Sequence, residues 1–170
     1  HALINNAAIS PKADDGGRLD SLATPVETWM TVFHVNFLGP ILLARGLFEE
    51  LKRGQGAVVN VTSIVGTRVH PFAGTAYATS KAALACLTRE MAHDFAPHGI
   101  RVNAIAPGWI MTERQLEKWM TPQGEAELMQ RQCLKRKLMP DELAKFTVFL
   151  ASDEASACTA QHYVVDGGWV

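Results

Sequence analysis

The segment Tyr77-Ala78-Thr79-Ser80-Lys81 sets a phenol and an amine four residues apart. On a helix such a pair shares one face, about one turn apart. An ammonium held there favours the phenolate and is expected to lower the phenol's pKa. A phenol brought toward neutrality can give a proton to, and take one from, an alcohol–carbonyl pair. Upstream, Ser63 ends the β-branched run Val58 to Thr62. In an open parallel sheet, ligands bind beyond the carboxyl ends of the strands, so this hydroxyl is placed to bond a substrate oxygen. Asn36 falls within a helical stretch, with Pro40 four residues later. Proline has no N–H, so the Asn36 carbonyl is freed to hold a water feeding a proton relay to Lys81. Taken singly, each feature has a plainer reading: an ordinary helix face, a turn or capping serine, a proline kink.

Elements of matching type must position these groups. Ala2 to Asn5, Ala57 to Thr62, Ile100 to Ala106 and His162 to Val165 are short apolar runs bounded by turn residues. Continuous apolar character without strict alternation predicts parallel strands covered on both faces. Between them, Pro25 to Lys52, Thr75 to Phe95, Thr112 to Arg136 and Pro140 to Ala151 carry helical patterns. Strands alternating with helices imply right-handed crossovers and a parallel α/β sheet. Asn5-Asn6-Ala7-Ala8 and Pro107-Gly108-Trp109-Ile110-Met111-Thr112 follow strands with small or turn residues. Such turns let a ligand approach the backbone closely.

Composition narrows the classes. The 170 residues are 48% hydrophobic and 19% charged, ordinary for a globular domain. Net charge −1 removes the electrostatic argument for nucleic acid or an anionic membrane. The basic stretch Arg131 to Lys137 reads as a solvated helix face. Cys86, Cys133 and Cys158 are odd in number and widely spaced, with no metal-ligand pattern. They are expected to be buried free thiols in a reducing cytoplasm. No apolar run approaches the ~18 residues of a membrane span. A serine hydrolase is disfavoured, because no GxSxG holds Ser63.

Together, Asn5-Asn6-Ala7-Ala8, Asn36, Ser63, Tyr77-x-x-x-Lys81, Asn103 to Gly108 and Asp166-Gly167-Gly168 resemble the short-chain dehydrogenase/reductase family, in order and spacing, across nearly the whole chain. The resemblance implies a Rossmann-type, doubly wound parallel sheet in one catalytic domain, and hydride exchange between NAD or NADP and an alcohol or carbonyl. It implies Tyr77 as acid/base, Ser63 orienting the substrate oxygen, and Asn36 holding the relay water. Lys81 would bind the nicotinamide ribose and lower the Tyr77 pKa. Asn5, Ala7, Pro107, Ile110 and Thr112 match cofactor-lining positions, and Asn103 a structural one. By the same analogy, helices Pro25–Lys52 and Thr75–Phe95 pack across a dimer axis within a tetramer.

Two departures stand out. The family's TGxxxGxG loop, which cradles the pyrophosphate against a helix N-terminus, is not in this sequence. With it go the first strands and helices, roughly 80 residues or two to three βα units, so the domain is expected to be N-terminally truncated. The strand Ala2 to Asn5 would then present an open edge. Ala8 replaces the usual glycine. Residues 112–139 correspond to the substrate lid and are similar to aldose dehydrogenases, while Asn60 to Pro107 is closer to 3-oxoacyl-type reductases. Natural divergence and a chimera both fit that mosaic. Trp109, Trp119 and Gln132 are candidate pocket residues, although core packing is the favoured expectation for each Trp. The competing class is a non-catalytic scaffold unable to hold cofactor alone.

Overall fold

The computed structural model describes residues 1–170, the Lys118 side chain excepted. Four strands, β1 (Ala2–Asn5), β2 (Ala57–Val61), β3 (Arg101–Pro107) and β4 (His162–Val165), form one parallel sheet in the order β1-β2-β3-β4. The register pairs Leu3 with Val58, Val58 with Val102, and Ala104 with His162. All four carboxyl ends therefore share one rim.

Successive residues of a strand point to opposite faces, and both faces are covered. Val58 and Val102 pack with Leu51, Met91 and Ala92 on one side. Val59 and Ile105 pack with Leu150 and Ala155 on the other. Helices α2 (Gly39–Gly46), α3 (Phe48–Arg53) and α4 (Thr75–Phe95) serve the first face, and α1 (Val26–Phe33) packs outside them on α4. Helix α7 (Pro140–Ala151) serves the second. Val58, Val59, Val102 and Ile105 are fully buried, and each contributes about 1.5–3 kcal/mol of burial free energy. This is the Rossmann-like, doubly wound arrangement that the strand and helix order predicts.

Two helical stretches and the burial of the thiols differ from the sequence expectation. The stretch Pro25 to Lys52 is not one helix. A π-helical turn, His34–Leu38, separates α1 from α2, and Leu47 separates α2 from α3. Pro40 offers no N–H to the preceding turn, and the Gly39 N–H reaches back five residues to the His34 carbonyl. The stretch Thr112 to Arg136 divides into α5 (Glu113–Lys118) and α6 (Pro122–Arg131). The Thr121 hydroxyl accepts from the Gly124 N–H at 3.1 Å, and Pro122 takes the first helical position, which forces a fresh helix start. Finally, Cys86 and Cys133 are exposed and Cys158 is half-buried, so the expected burial of the thiols is corrected. Cys86 and Cys133 fall on outward-facing positions, while Cys158 packs on the edge of the Val59–Ile105–Leu150 cluster.

The basic stretch from Arg131 is paired rather than merely solvated. Arg131 meets Glu127 at 3.1 Å, Lys137 meets Glu125 at 2.8 Å, and Arg136 holds Glu142 through two bonds of 2.8 and 2.6 Å. That fork and the Met139 N–H hold the Glu142 carboxyl down at about 2.

Candidate active site

Ser63 lies two residues beyond the end of β2, in an extended conformation, and opens a short 3-10 turn, Ile64–Gly66. Its Oγ accepts from the Val65 N–H at 3.4 Å, so Ser63 is a cap as well as a rim hydroxyl. The turn packs tightly on α4: a Cβ at Gly66 would lie 2.9 Å from the Ala82 nitrogen. That contact holds the β2 exit against the helical turn carrying Lys81.

Tyr77 lies in the first turns of α4 and faces Ser63 across a cavity of about 160 Å³ that both line. Burial pushes the phenol above its ordinary value, and a hydrogen bond with Ser63 pulls it partly back. The depression expected from the Tyr–Lys spacing is therefore corrected. The Lys81 Nζ lies 5.8 Å from the Tyr77 ring centroid, and desolvation dominates. Lys81 is only 2% exposed. Its Nζ donates to the Val61 carbonyl at 2.6 Å, and burial lowers it to about 8.

Asn36 is fully buried in the π-turn, with a task its spacing did not reveal. Its Oδ1 accepts from the Ile9 N–H at 2.8 Å, and its Nδ2 donates to the Ile9 carbonyl at 2.9 Å and to Ser80 Oγ at 3.0 Å. The side chain thus clamps the segment after β1 onto α4, beside the turn bearing Tyr77 and Lys81.

The remaining candidates disperse around the rim. Asn5 is buried; its Nδ2 donates to Asn60 Oδ1 at 2.8 Å, while its own Oδ1 has no partner among the described residues. Ala7 is exposed after β1, and Pro107 is buried at the end of β3. Thr112 caps α5, accepting from the Gln115 N–H at 3.3 Å. Ile110 pairs with Leu138 and lines a separate cavity of about 400 Å³ beside α7. That larger space touches none of Ser63, Tyr77 or Lys81.

Trp109 and Trp119 do line the Tyr77 cavity. Gln132 does not. It is fully buried, pairs with Trp169 through the backbone, and donates from Nε2 to the carbonyls of Leu134 and Arg136, the latter at 2.6 Å. It fastens α6 to the C-terminal segment. The sequence reading missed Lys12, His70 and Phe72, which line the same cavity. The signal for two of them was position, since His70-Pro71-Phe72 bridges Ser63 and Tyr77; Lys12 carried none.

The family model described as enoyl-(acyl carrier protein) reductase matches residues 1–170. Protein FixR of Bradyrhizobium diazoefficiens is 58% identical over 168 residues, covering 99% of this chain and 59% of that protein. D-xylose 1-dehydrogenase of Caulobacter vibrioides is 44% identical, covering 98% and 64%. The crystal structure of a short-chain dehydrogenase/reductase family oxidoreductase from Brucella ovis, in complex with a partially ordered NAD, superposes with a TM-score of 0.79 at 53% identity, covering 97% and 64%. The chain belongs to the short-chain dehydrogenase/reductase family, and it spans about three-fifths of the length of these relatives.

Proposed function

We propose that this chain carries the catalytic centre of an NAD(P)-dependent oxidoreductase that interconverts an alcohol and a carbonyl. The carrying observation is the Ser63 hydroxyl beside the Tyr77 phenol, in a cavity at the sheet rim, with a buried lysine one helical turn away.

The residues present fit the nicotinamide-ribose end of the cofactor. An ammonium has three N–H donors, and Lys81 gives one to Val61. The rest suit the paired hydroxyls of a ribose, and a buried cation with spare donors is costly unless such a partner arrives. Asn5, Ala7, Pro107, Ile110 and Thr112 lie at or beyond the ends of β1 and β3 and would line the cofactor. When bound, the nicotinamide supplies or accepts the hydride. Tyr77 takes the hydroxyl proton as the carbonyl forms and returns it in reduction. Ser63 bonds the substrate oxygen and holds it toward the phenol. The Lys81 ammonium stabilises the phenolate as substrate closes the cavity against water. Asn36 fixes the wall of the site through Ile9 and Ser80, and its π-turn carbonyl is assigned the relay water.

Residues 112–139 act as the lid. A sugar or other hydroxylated compound is the first substrate class, as for the xylose dehydrogenase relative; a 3-oxoacyl-type compound is the second. The protein works as a dimer or tetramer in the cytoplasm, where free cysteines persist.

Titration of the full-length protein with NADH, followed by energy transfer from tryptophan to nicotinamide, tests the assignment. Lys81→Ala weakens binding by about tenfold or more, the loss of a charge-assisted hydrogen bond. Unchanged affinity removes Lys81 from the ribose site.

A further inference from the structure

The cavity before Tyr77 has a one-sided chemistry that proton transfer does not use. Lys12 and His70 line it, and no Asp or Glu does among the described residues. The Lys12 ammonium donates to the Phe72 carbonyl and stands 5.6 Å from the Trp119 ring centroid. Half-buried, it pairs with no carboxylate among the described residues. Withdrawing a cation from water without a counter-ion is unfavourable unless a ligand supplies one.

His70 adds a donor of fixed identity. The Phe72 N–H donates to its Nδ1 at 3.3 Å, so the neutral ring carries its proton on Nε2. Trp169 and Trp109 pack against the imidazole, with centroids 5.3 and 5.9 Å away. Glu127, an acid whose field reaches His70, is committed to Arg131 at 3.1 Å. Gln115 supplies a third donor. Its Oε1 accepts from Trp109 Nε1 at 2.7 Å, which leaves the amide Nε2 for a ligand.

We infer that the substrate is an anion: a short hydroxy acid or oxo acid whose carboxylate is held by Lys12, with His70 Nε2 and Gln115 Nε2 as further donors, while its reacting carbon faces Tyr77 and Ser63. This rests on the oxidoreductase reading and narrows it. A neutral polyol would leave the Lys12 charge without a counter-ion, and Trp109 already takes one of the two acceptor positions of the Gln115 amide oxygen. A phosphate dianion would call for more than one full cation. Phe72, Trp109 and Trp119 wall the space and suit a short carbon chain.

Paired ligands test this in the full-length protein: 4-oxopentanoate against 4-oxopentanamide, equal in shape and different in charge. Binding is read from the quenching of tryptophan fluorescence, and reduction is read with NADH and NADPH. The acid binds about tenfold or more tighter than the amide. Lys12→Gln brings the ratio close to one, and Lys12→Arg restores it. Equal binding of acid and amide, or a preference that survives Lys12→Gln, overturns the inference. Reduction of both ligands at equal efficiency overturns the anion and leaves the oxidoreductase standing. Reduction of neither, with the binding preference intact, counts against the oxidoreductase and for the anion site.

Discussion

Lys81 shows what the site costs at the level of single residues. Its ordinary value is 10.5, and burial lowers it to about 8. Below pH 8 the ammonium is charged in both folded and unfolded chains, and only the folded chain bears the desolvation cost. Between about 8 and 10.5 the unfolded chain holds the proton that the folded chain has shed, so this residue makes stability rise with pH. Lys81→Met removes that dependence. Urea denaturation across a pH series should find the variant's stability relative to wild type greatest below pH 8 and declining toward 10.5; a gap independent of pH contradicts the assigned burial cost. Asn36 makes a second residue-scale prediction. Asn36→Ala strips both backbone groups of Ile9 of their side-chain partner and is expected to cost about 2–3 kcal/mol, measured by the same denaturation. A change within about 0.5 kcal/mol, the range of an ordinary surface substitution, would show that the clamp contributes little.

Among the elements, the tightest joint is the packing of the Ser63 turn on α4. Gly66→Ala places a Cβ against backbone atoms of Lys81 and Ala82, which cannot rotate away as a side chain can. Stability should fall by about 1–3 kcal/mol, and turnover with it, because Ser63 and Lys81 are moved apart. Full activity in a destabilised variant would detach the joint from the chemistry. The elements also mark how far the sequence could be read. α4 and α7 follow their patterns from end to end, since α4 begins after a turn and ends just before Pro97 and Gly99, and α7 opens on Pro140 with acids in its first turn. The π-turn was not legible, because Pro40 signals a lost hydrogen bond without saying how the helix absorbs it. Ser63, Tyr77 and Lys81 could be found because strand and helix patterns put them toward one rim and because their order and spacing, with Asn36 and the flanking turns, resemble the short-chain dehydrogenase/reductase family. Gln132 misled because its polarity serves a buried tether. Lys12 was invisible because only the tertiary path from β1 carries it to the cavity.

At the largest scale, the chain has two exposed features. Among the described residues β1 pairs only with β2, leaving its other edge open, and Ile4 on it is exposed. Val26, Met30, Leu42 and Leu43 form an outward apolar stripe along α1 and α2. Such stripes mark association surfaces. Light scattering should find the protein oligomeric and Leu42→Glu shifted toward the monomer, whereas a wild-type monomer would assign the stripe to another role. The central claim, that Tyr77 moves the proton, is tested most directly by Tyr77→Phe in the full-length protein, assayed for nicotinamide reduction with D-xylose, cyclopentanol and 4-hydroxypentanoate. The variant should lose about a thousandfold or more of the wild-type turnover with NADH affinity unchanged, the scale of a lost general acid–base group. Turnover within about tenfold of wild type would contradict the account.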